Sequence, residues 1–198
     1  MAGPCGCRRK EVGEESVFPN KNWVPVSLRK SPMTKRELFD LISRFAQRPL
    51  PAVNGRHVYL WHGSLDVLKR AIPAETFVSL DLHHLAVALP RAPRARDEAR
   101  RLLNQTIQTT LNEKLEFDHQ QIFVVTGCDL LSRYEVSLNS FFQLASEKHM
   151  IILVVPLAET QFQPSRPLPN YVVLDSTAPF NYLQAVLGTA ATIGDAEL

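Results

Sequence analysis

The sequence of 198 residues is poor in cysteine and glycine and almost without net charge. Its three cysteines cannot all pair, and Cys5 and Cys7 lie too close together for an ordinary bridge, so no disulfide framework is expected. With 22 Lys plus Arg against 20 Asp plus Glu, the formal net charge is +2. The whole molecule therefore has no field for capturing nucleic acid or an anionic membrane, and only a local basic patch could do so. No apolar run approaches the roughly 18 residues of a spanning helix, and the opening stretch MAGPCGCRRKEVGEE has no hydrophobic segment of the signal-peptide kind. A cytoplasmic protein with reduced thiols and no membrane contact is the expectation. The sequence also has no G-x-S-x-G, no G-x-G-x-x-G and no H-E-x-x-H, so hydrolase, dinucleotide and zinc-protease readings have no motif behind them.

What is present suits one folded domain. Hydrophobic residues make up 45% of the chain and charged ones 21%, enough apolar material for a core and too little charge for global disorder. Residues 1–30 mix Gly, Pro, Lys and Glu without a period and read as a flexible arm ahead of a domain over 31–198. Thr34 and Glu37 form a T-x-x-E capping box, and Leu38, Leu41, Ile42 and Phe45 follow at helical spacing until Pro49 and Pro51 stop the helix. After a turn at Asn54-Gly55, HVYLW over 57–61 reads as a buried strand, with Gly63 and Ser64 leading into a helix over LDVLKRAI. TFVSL over 76–80 is a second strand, and a long amphipathic helix runs from about 94 to 115. QIFVVT over 121–126 and MIILVV over 150–155 are apolar on consecutive residues, as strands covered on both faces are, with a helix expected over 136–148 between them. YVVL over 171–174 reads as the last strand and 180–187 as a short amphipathic helix. This alternation predicts an α/β fold: a three-layer, mainly parallel sheet with helices on both faces, P-loop NTPase-like, with any ligand at the carboxyl ends of the strands.

The turn after the first strand is where a phosphate-binding loop would lie. GSLDVLKR over 63–70 keeps the first glycine, Gly63, and the lysine, Lys69, of G-x-x-x-x-G-K-[ST], but has Leu68 at the second glycine and Arg70 at the magnesium-binding hydroxyl. Leu68 would crowd the phosphate path, Asp66 adds negative charge, and Ser64 would start the helix at once, deleting the nest of amides. In the Walker B position, four apolar residues over 122–125 are followed by Thr126 and Gly127, and Asp129 is the first carboxylate. A hydroxyl cannot replace a carboxylate in holding a divalent cation against water, so nucleotide hydrolysis is not expected.

Other chemistry-bearing residues are sparse. Arg91, Arg94, Arg96, Arg100 and Arg101 form the densest positive patch, either a solvated helix face or a contact for nucleic acid or an acidic neighbouring subunit. A second basic group, Arg8, Arg9, Lys10, Arg29, Lys30, Lys35 and Arg36, would add to that surface if the arm folded back. His62, His83 and His84 could reach one sheet edge, but they lack metal-ligand spacing, and no metal site is expected. Cys128 reads as a half-buried thiol at a strand end rather than a nucleophile, since it lacks a clear base, His149 ending a helix elsewhere in the sequence.

The order of elements from 57 to 174, VVTGCDLL followed by a helix and MIILVVP, and the truncated GSLDVLKR turn together resemble the small P-loop proteins (BrxF) of bacterial BREX phage-defence systems. The resemblance covers about 120 residues. It implies an AAA-like nucleotide-binding core, action inside a multi-protein complex and a role in defence against foreign DNA. With Gly63, Lys69 and Asp129 as vestiges of the cofactor site, the expectation is a non-catalytic pseudo-NTPase adaptor or regulator that binds other subunits of a defence complex and has no cofactor, ATP being disfavoured. Two alternatives stay open: an active NTPase using Lys69 and Asp129 in a nonstandard site completed by a neighbour, and a DNA-binding subunit using the five arginines. Self-association in pairs or rings is also left open.

Overall fold

The computed structural model describes residues 32–51, 57–157 and 162–194. The arm, the Asn54-Gly55 turn, Cys5, Cys7 and the arm's basic group from Arg8 to Lys30 lie outside them. The first helix, α1 (Lys35–Gln47), starts where the capping box predicts. Thr34 Oγ1 accepts from the Glu37 amide at 3.2 Å and the Glu37 carboxylate accepts from the Thr34 amide at 2.9 Å. Leu38, Ile42 and Phe45 form its buried stripe.

Five strands form one sheet: β1 (Val58–His62), β2 (Phe77–Asp81), β3 (Gln121–Thr126), β4 (His149–Val155) and β5 (Thr192–Gly194). They lie in the order β2-β3-β4-β1-β5, and every pairing is parallel. Side chains alternate across a strand, so a strand buried on both faces must be apolar at every position. β1, β3 and β4 meet that demand. Leu60, Phe123, Val125, Ile151 and Leu153 belong to the core on one face, and Tyr59, Trp61, Ile122, Val124, Met150 and Ile152 to the core on the other. The protein is therefore a three-layer α/β structure.

Direction of travel decides which face each helix covers. The step from β1 to β2 runs one way across the sheet, and its helix α2 (Leu65–Ala71) joins α1 on the face of Trp61. The steps β2 to β3, β3 to β4 and β4 to β5 run the other way. Their helices cover the face of Phe123: α3 (Leu82–Val87), α4 (Arg96–Lys114), α5 (Asp129–Arg133), α6 (Asn139–Leu144) and α7 (Thr177–Leu187). A uniform right-handed crossover requires this division.

Two expectations are corrected and one unassigned segment proves helical. Residues 171–174 are not a strand, because Tyr171 turns toward Phe162 and Val172 stays 63% exposed, and the fifth strand is instead Thr192–Gly194 beside β1. The helix expected over 136–148 shrinks to α6, because Ser146 and His149 close a tight turn into β4, with the Ser146 amide donating to the His149 carbonyl at 2.9 Å. The sequence DLHHLAV, assigned to no element above, contains α3, capped by Asp81 accepting from the His83 amide at 3.0 Å.

Under the amino end of β1, buried His57 packs between Phe45 and Tyr59. Its Nε2 lies 3.0 Å from the Leu50 carbonyl and its Nδ1 3.1 Å from the Tyr59 hydroxyl. These partners suit a neutral ring that donates from Nε2 and accepts at Nδ1. Burial draws its pKa below the ordinary value, against smaller opposing effects from the Leu50 carbonyl and Glu147. As pH falls through the unfolded value of about 6.5 the unfolded chain takes up a proton that the folded chain refuses, so stability is lost toward acid. Urea unfolding at pH 7, 6 and 5 should show this decline, with a shallower slope in His57→Gln; an unchanged slope would remove His57 from the explanation.

Candidate functional site

The carboxyl ends of β1 and β4 form the switch point of the sheet, because the chain leaves β1 toward one edge and β4 toward the other. A cavity of about 180 Å³ lies there. Leu65 at the start of α2, Val154 to Pro156 at the end of β4, Pro179 of α7, Thr126 to Asp129 after β3 and His83 of α3 line it.

The β1–α2 connection that was compared with a phosphate-binding loop has only two residues, Gly63 and Ser64. The Gly63 amide extends the sheet ladder by donating to the Val155 carbonyl at 3.1 Å. The Ser64 carbonyl accepts the Trp61 indole N–H at 3.1 Å and the Leu68 amide at 3.3 Å, which locks the turn onto the helix. Leu68 is wholly buried in the core below the sheet. Lys69 is exposed in the last turn of α2, about 6 Å along the axis from the start of the helix. Gly63 and Lys69 are thus not brought together around a common centre.

Asp129 is at the cavity, engaged with a partner that sequence reasoning did not pair with it. Its side chain is 2% exposed, and His83 Nε2 lies 2.5 Å from its Oδ1. Oδ2 is shut off from solvent and has no hydrogen-bond partner among the described residues. The contact depends on the backbone between β3 and α5. Gly127 has φ of +72°, and a Cβ there would come within 2.8 Å of the His83 amide nitrogen and 2.9 Å of its ring. Glycine is the residue that supplies both the left-handed conformation and the room.

His83 is held from its other side as well. Phe162 stacks on it at 4.0 Å with the rings 5° from parallel, Tyr171 meets Phe162 edge-on at 5.9 Å, and the Arg133 guanidinium lies 4.1 Å over Tyr171. The Tyr171 hydroxyl donates to the Phe162 carbonyl at 2.7 Å, and burial, helped by the Asp129 charge, pushes its pKa up to about 12. This aromatic series straps the segment after β4 across α3 and α5. Its pieces come from residues 83, 129, 133, 162 and 171, and only the isolated histidine and the strand-end aspartate were visible as signals in the sequence.

The remaining candidates separate. The Cys128 thiol donates to the Val125 carbonyl at 3.4 Å, and burial first, then Asp129 and Asp81, push its pKa far above the ordinary range, so it is a protonated thiol. His149 is at the opposite end of the sheet, paired in register with Gln121 and hydrogen-bonded to Ser146 at 2.8 Å. His62 stacks on Phe180 at 4.3 Å, His83 contacts Asp129 and His84 is exposed, so the three imidazoles share no common centre. Among the described residues no group of three His, Cys, Asp or Glu could hold a metal ion.

The arginines at the start of α4 are largely engaged within the chain. Arg91 pairs with Glu98 at 2.5 Å, while Arg96 and Arg100 both reach Glu135, at 3.0 and 3.1 Å. Arg100 also donates to the Tyr134 carbonyl at 2.8 Å. Glu135 has φ of +49°, a conformation that costs a non-glycine residue roughly 1 kcal/mol or more, and the two guanidinium groups hold its carboxylate there. Arg94 and Arg101 are exposed.

The fold and cavity define a three-layer α/β protein with a switch-point site. No known family model, curated protein or solved structure matches the chain.

Replacing Gly127 with alanine should destabilise the protein by about 2 kcal/mol or more, the left-handed penalty plus the collision with His83. A fall in the urea midpoint with an unchanged slope would show it, and wild-type stability would mean that the segment after β3 yields freely.

Proposed function

We propose that the protein is a non-catalytic, P-loop-like subunit, a pseudo-NTPase core that works as an adaptor or regulator by binding other protein subunits. The observation that carries this reading is the two-residue turn between β1 and α2. A phosphate-binding loop needs a run of backbone amides curled around the phosphate before the helix begins, and a lysine at the start of the helix. Here one of the few amides belongs to the sheet ladder, Leu68 fills the core, and Lys69 is a turn away in solvent.

Asp129 supports the same conclusion. A magnesium ion needs several oxygen ligands in octahedral array, usually retaining waters. This carboxylate is buried against His83 with apolar neighbours. The all-parallel order β5-β1-β4-β3-β2 agrees with the AAA-like core that the resemblance to BREX P-loop proteins implies, which is an argument of fold and not of chemistry. By that resemblance, the assembly served is a phage-defence complex. A DNA-binding role through the α4 arginines is less well supported, because Arg91, Arg96 and Arg100 already have carboxylate partners. No helix among the described residues is long and apolar enough to cross a membrane.

Calorimetric titration with ATP and magnesium tests this reading. The expected result is binding weaker than about 1 mM, worth less than about 4 kcal/mol, and unaffected by Lys69→Ala. Micromolar binding that Lys69→Ala abolishes would overturn it.

A further inference from the structure

We infer that the groove between α4 and α6, at the amino end of the sheet, is a binding site for a flat, uncharged heteroaromatic ring of the nucleobase kind, carried on a nucleoside. The cavity there has a volume of about 400 Å³, more than twice that of the switch-point cavity and within the roughly 300–1,000 Å³ of small-molecule sites. Gln108, Leu111 and Asn112 of α4 and Ser140, Gln143 and Leu144 of α6 line its two sides. Each set has the i, i+3, i+4 spacing that puts three side chains on one face of a helix. Leu111 and Leu144 are buried and make the floor apolar. Three features of the lining select the ligand.

The first is an aromatic ring left in water on a fixed backbone. Phe117, also in the lining, is 73% exposed, more than any other large hydrophobic residue described. The chain beside it is pinned. The Glu116 amide donates to Gln121 Oε1 at 2.9 Å, the Glu116 carbonyl lies 3.2 Å from His149 Nε2, and Lys148 Nζ donates to the Phe117 carbonyl at 3.3 Å. A ring held out in this way is a stacking platform whose backbone has already been ordered.

The second feature is the hydrogen-bonding set. Gln108, Asn112 and Gln143 are exposed, and their carboxamides have no hydrogen-bond partner among the described residues. A carboxamide offers donor and acceptor side by side, which complements the edge of a purine or pyrimidine, and Asn or Gln meets adenine in this bidentate manner. The third feature is charge. No Lys, Arg, Asp or Glu lines the cavity, and its one titratable ring, His149, is buried against Ser146 at 2.8 Å and the Glu116 carbonyl. The adjoining segments 113–118 and 147–148 have four carboxylates, Glu113, Glu116, Asp118 and Glu147, against two lysines, Lys114 and Lys148. A phosphate finds no cation in the lining and a net negative border, so the nucleoside is favoured over its nucleotide.

This site goes beyond the adaptor reading and does not rest on it. It is at the opposite rim from the switch point, and Lys69 is not in its lining. Micromolar ATP binding lost in Lys69→Ala would sink the adaptor reading and leave the nucleoside site to its own test.

That test is an NMR titration of the full chain with adenosine, inosine, cytidine and uridine, following the side-chain amides of Gln108, Asn112 and Gln143 and the Phe117 ring. Ribose and adenosine 5′-monophosphate are the comparators. At least one nucleoside should give saturable shifts at the amides together with the upfield shift of the Phe117 ring that a stacked base produces. Ribose should give neither, and the monophosphate should bind more weakly than adenosine. Phe117→Ala should weaken nucleoside binding about tenfold or more, the loss expected for one stacked base. A triple variant, Gln108→Ala with Asn112→Ala and Gln143→Ala, should weaken it about tenfold as well, through hydrogen bonds alone. All four positions are exposed, so these variants should keep the wild-type fold, read from unchanged backbone amide shifts elsewhere in the chain. No saturable shift with any nucleoside, ribose binding as tight as the nucleosides, monophosphate binding as tight as adenosine, or undiminished binding in either variant would overturn the proposal.

Discussion

Burial of a parallel sheet on both faces is the constraint from which the rest follows. β4 has neighbours on both sides and all seven of its residues buried, so nothing polar is tolerated along it except at its ends. Polar chemistry in this protein is therefore confined to the two rims of the sheet. At the amino rim it takes the form of closed structural contacts: His149 with Ser146 and the Glu116 carbonyl, His57 with Tyr59 and the Leu50 carbonyl. At the carboxyl rim the crossovers diverge and leave a space, and beside it Asp129 has an oxygen, Oδ2, with no hydrogen-bond donor among the described residues.

The same constraint governed what could be read from the sequence. Consecutive apolar residues in QIFVVT and MIILVV marked interior strands because no other common element needs both faces apolar, and the T-x-x-E pair fixed the start of α1 because its hydrogen bonds are local. Edge elements were misjudged for the complementary reason. β5 has three residues and pairs only with β1, so its assignment depends on a register with residues about 130 positions earlier. YVVL has a better strand composition, yet the aromatic contacts of Tyr171 hold that segment across α3 and α5 instead. Strand propensity expresses fit to a half-buried surface, and a segment with no neighbouring strand has no such surface to fit.

The His83–Asp129 contact was illegible for a further reason. It joins residues 46 apart through a backbone conformation at Gly127 that the sequence permits but does not announce. Gly127 read as a residue following an apolar strand, His83 as one of three histidines without metal-ligand spacing, and Asp129 as the first carboxylate past the Walker B position. Only the parallel pairing of β2 with β3, Asp81 beside Thr126, brings the two loops to the same height and the imidazole onto the carboxylate. Register is a property of the sheet, and so are the contacts between loops that leave adjacent strands.

The short β1–α2 turn and the character of the cavity bear on the same end of the sheet. An amide nest attracts anions because its N–H dipoles converge on a point, and a lysine at the helix start adds to that field. The two-residue turn Gly63-Ser64 forms no such nest, and Lys69 is exposed in the last turn of α2, so neither adds positive potential at the start of the helix. On the β3 side lies a buried carboxylate, Asp129, held by His83. With no amide nest and no lysine at the helix start, this end of the sheet lacks the groups by which a helix N-terminus gathers phosphate.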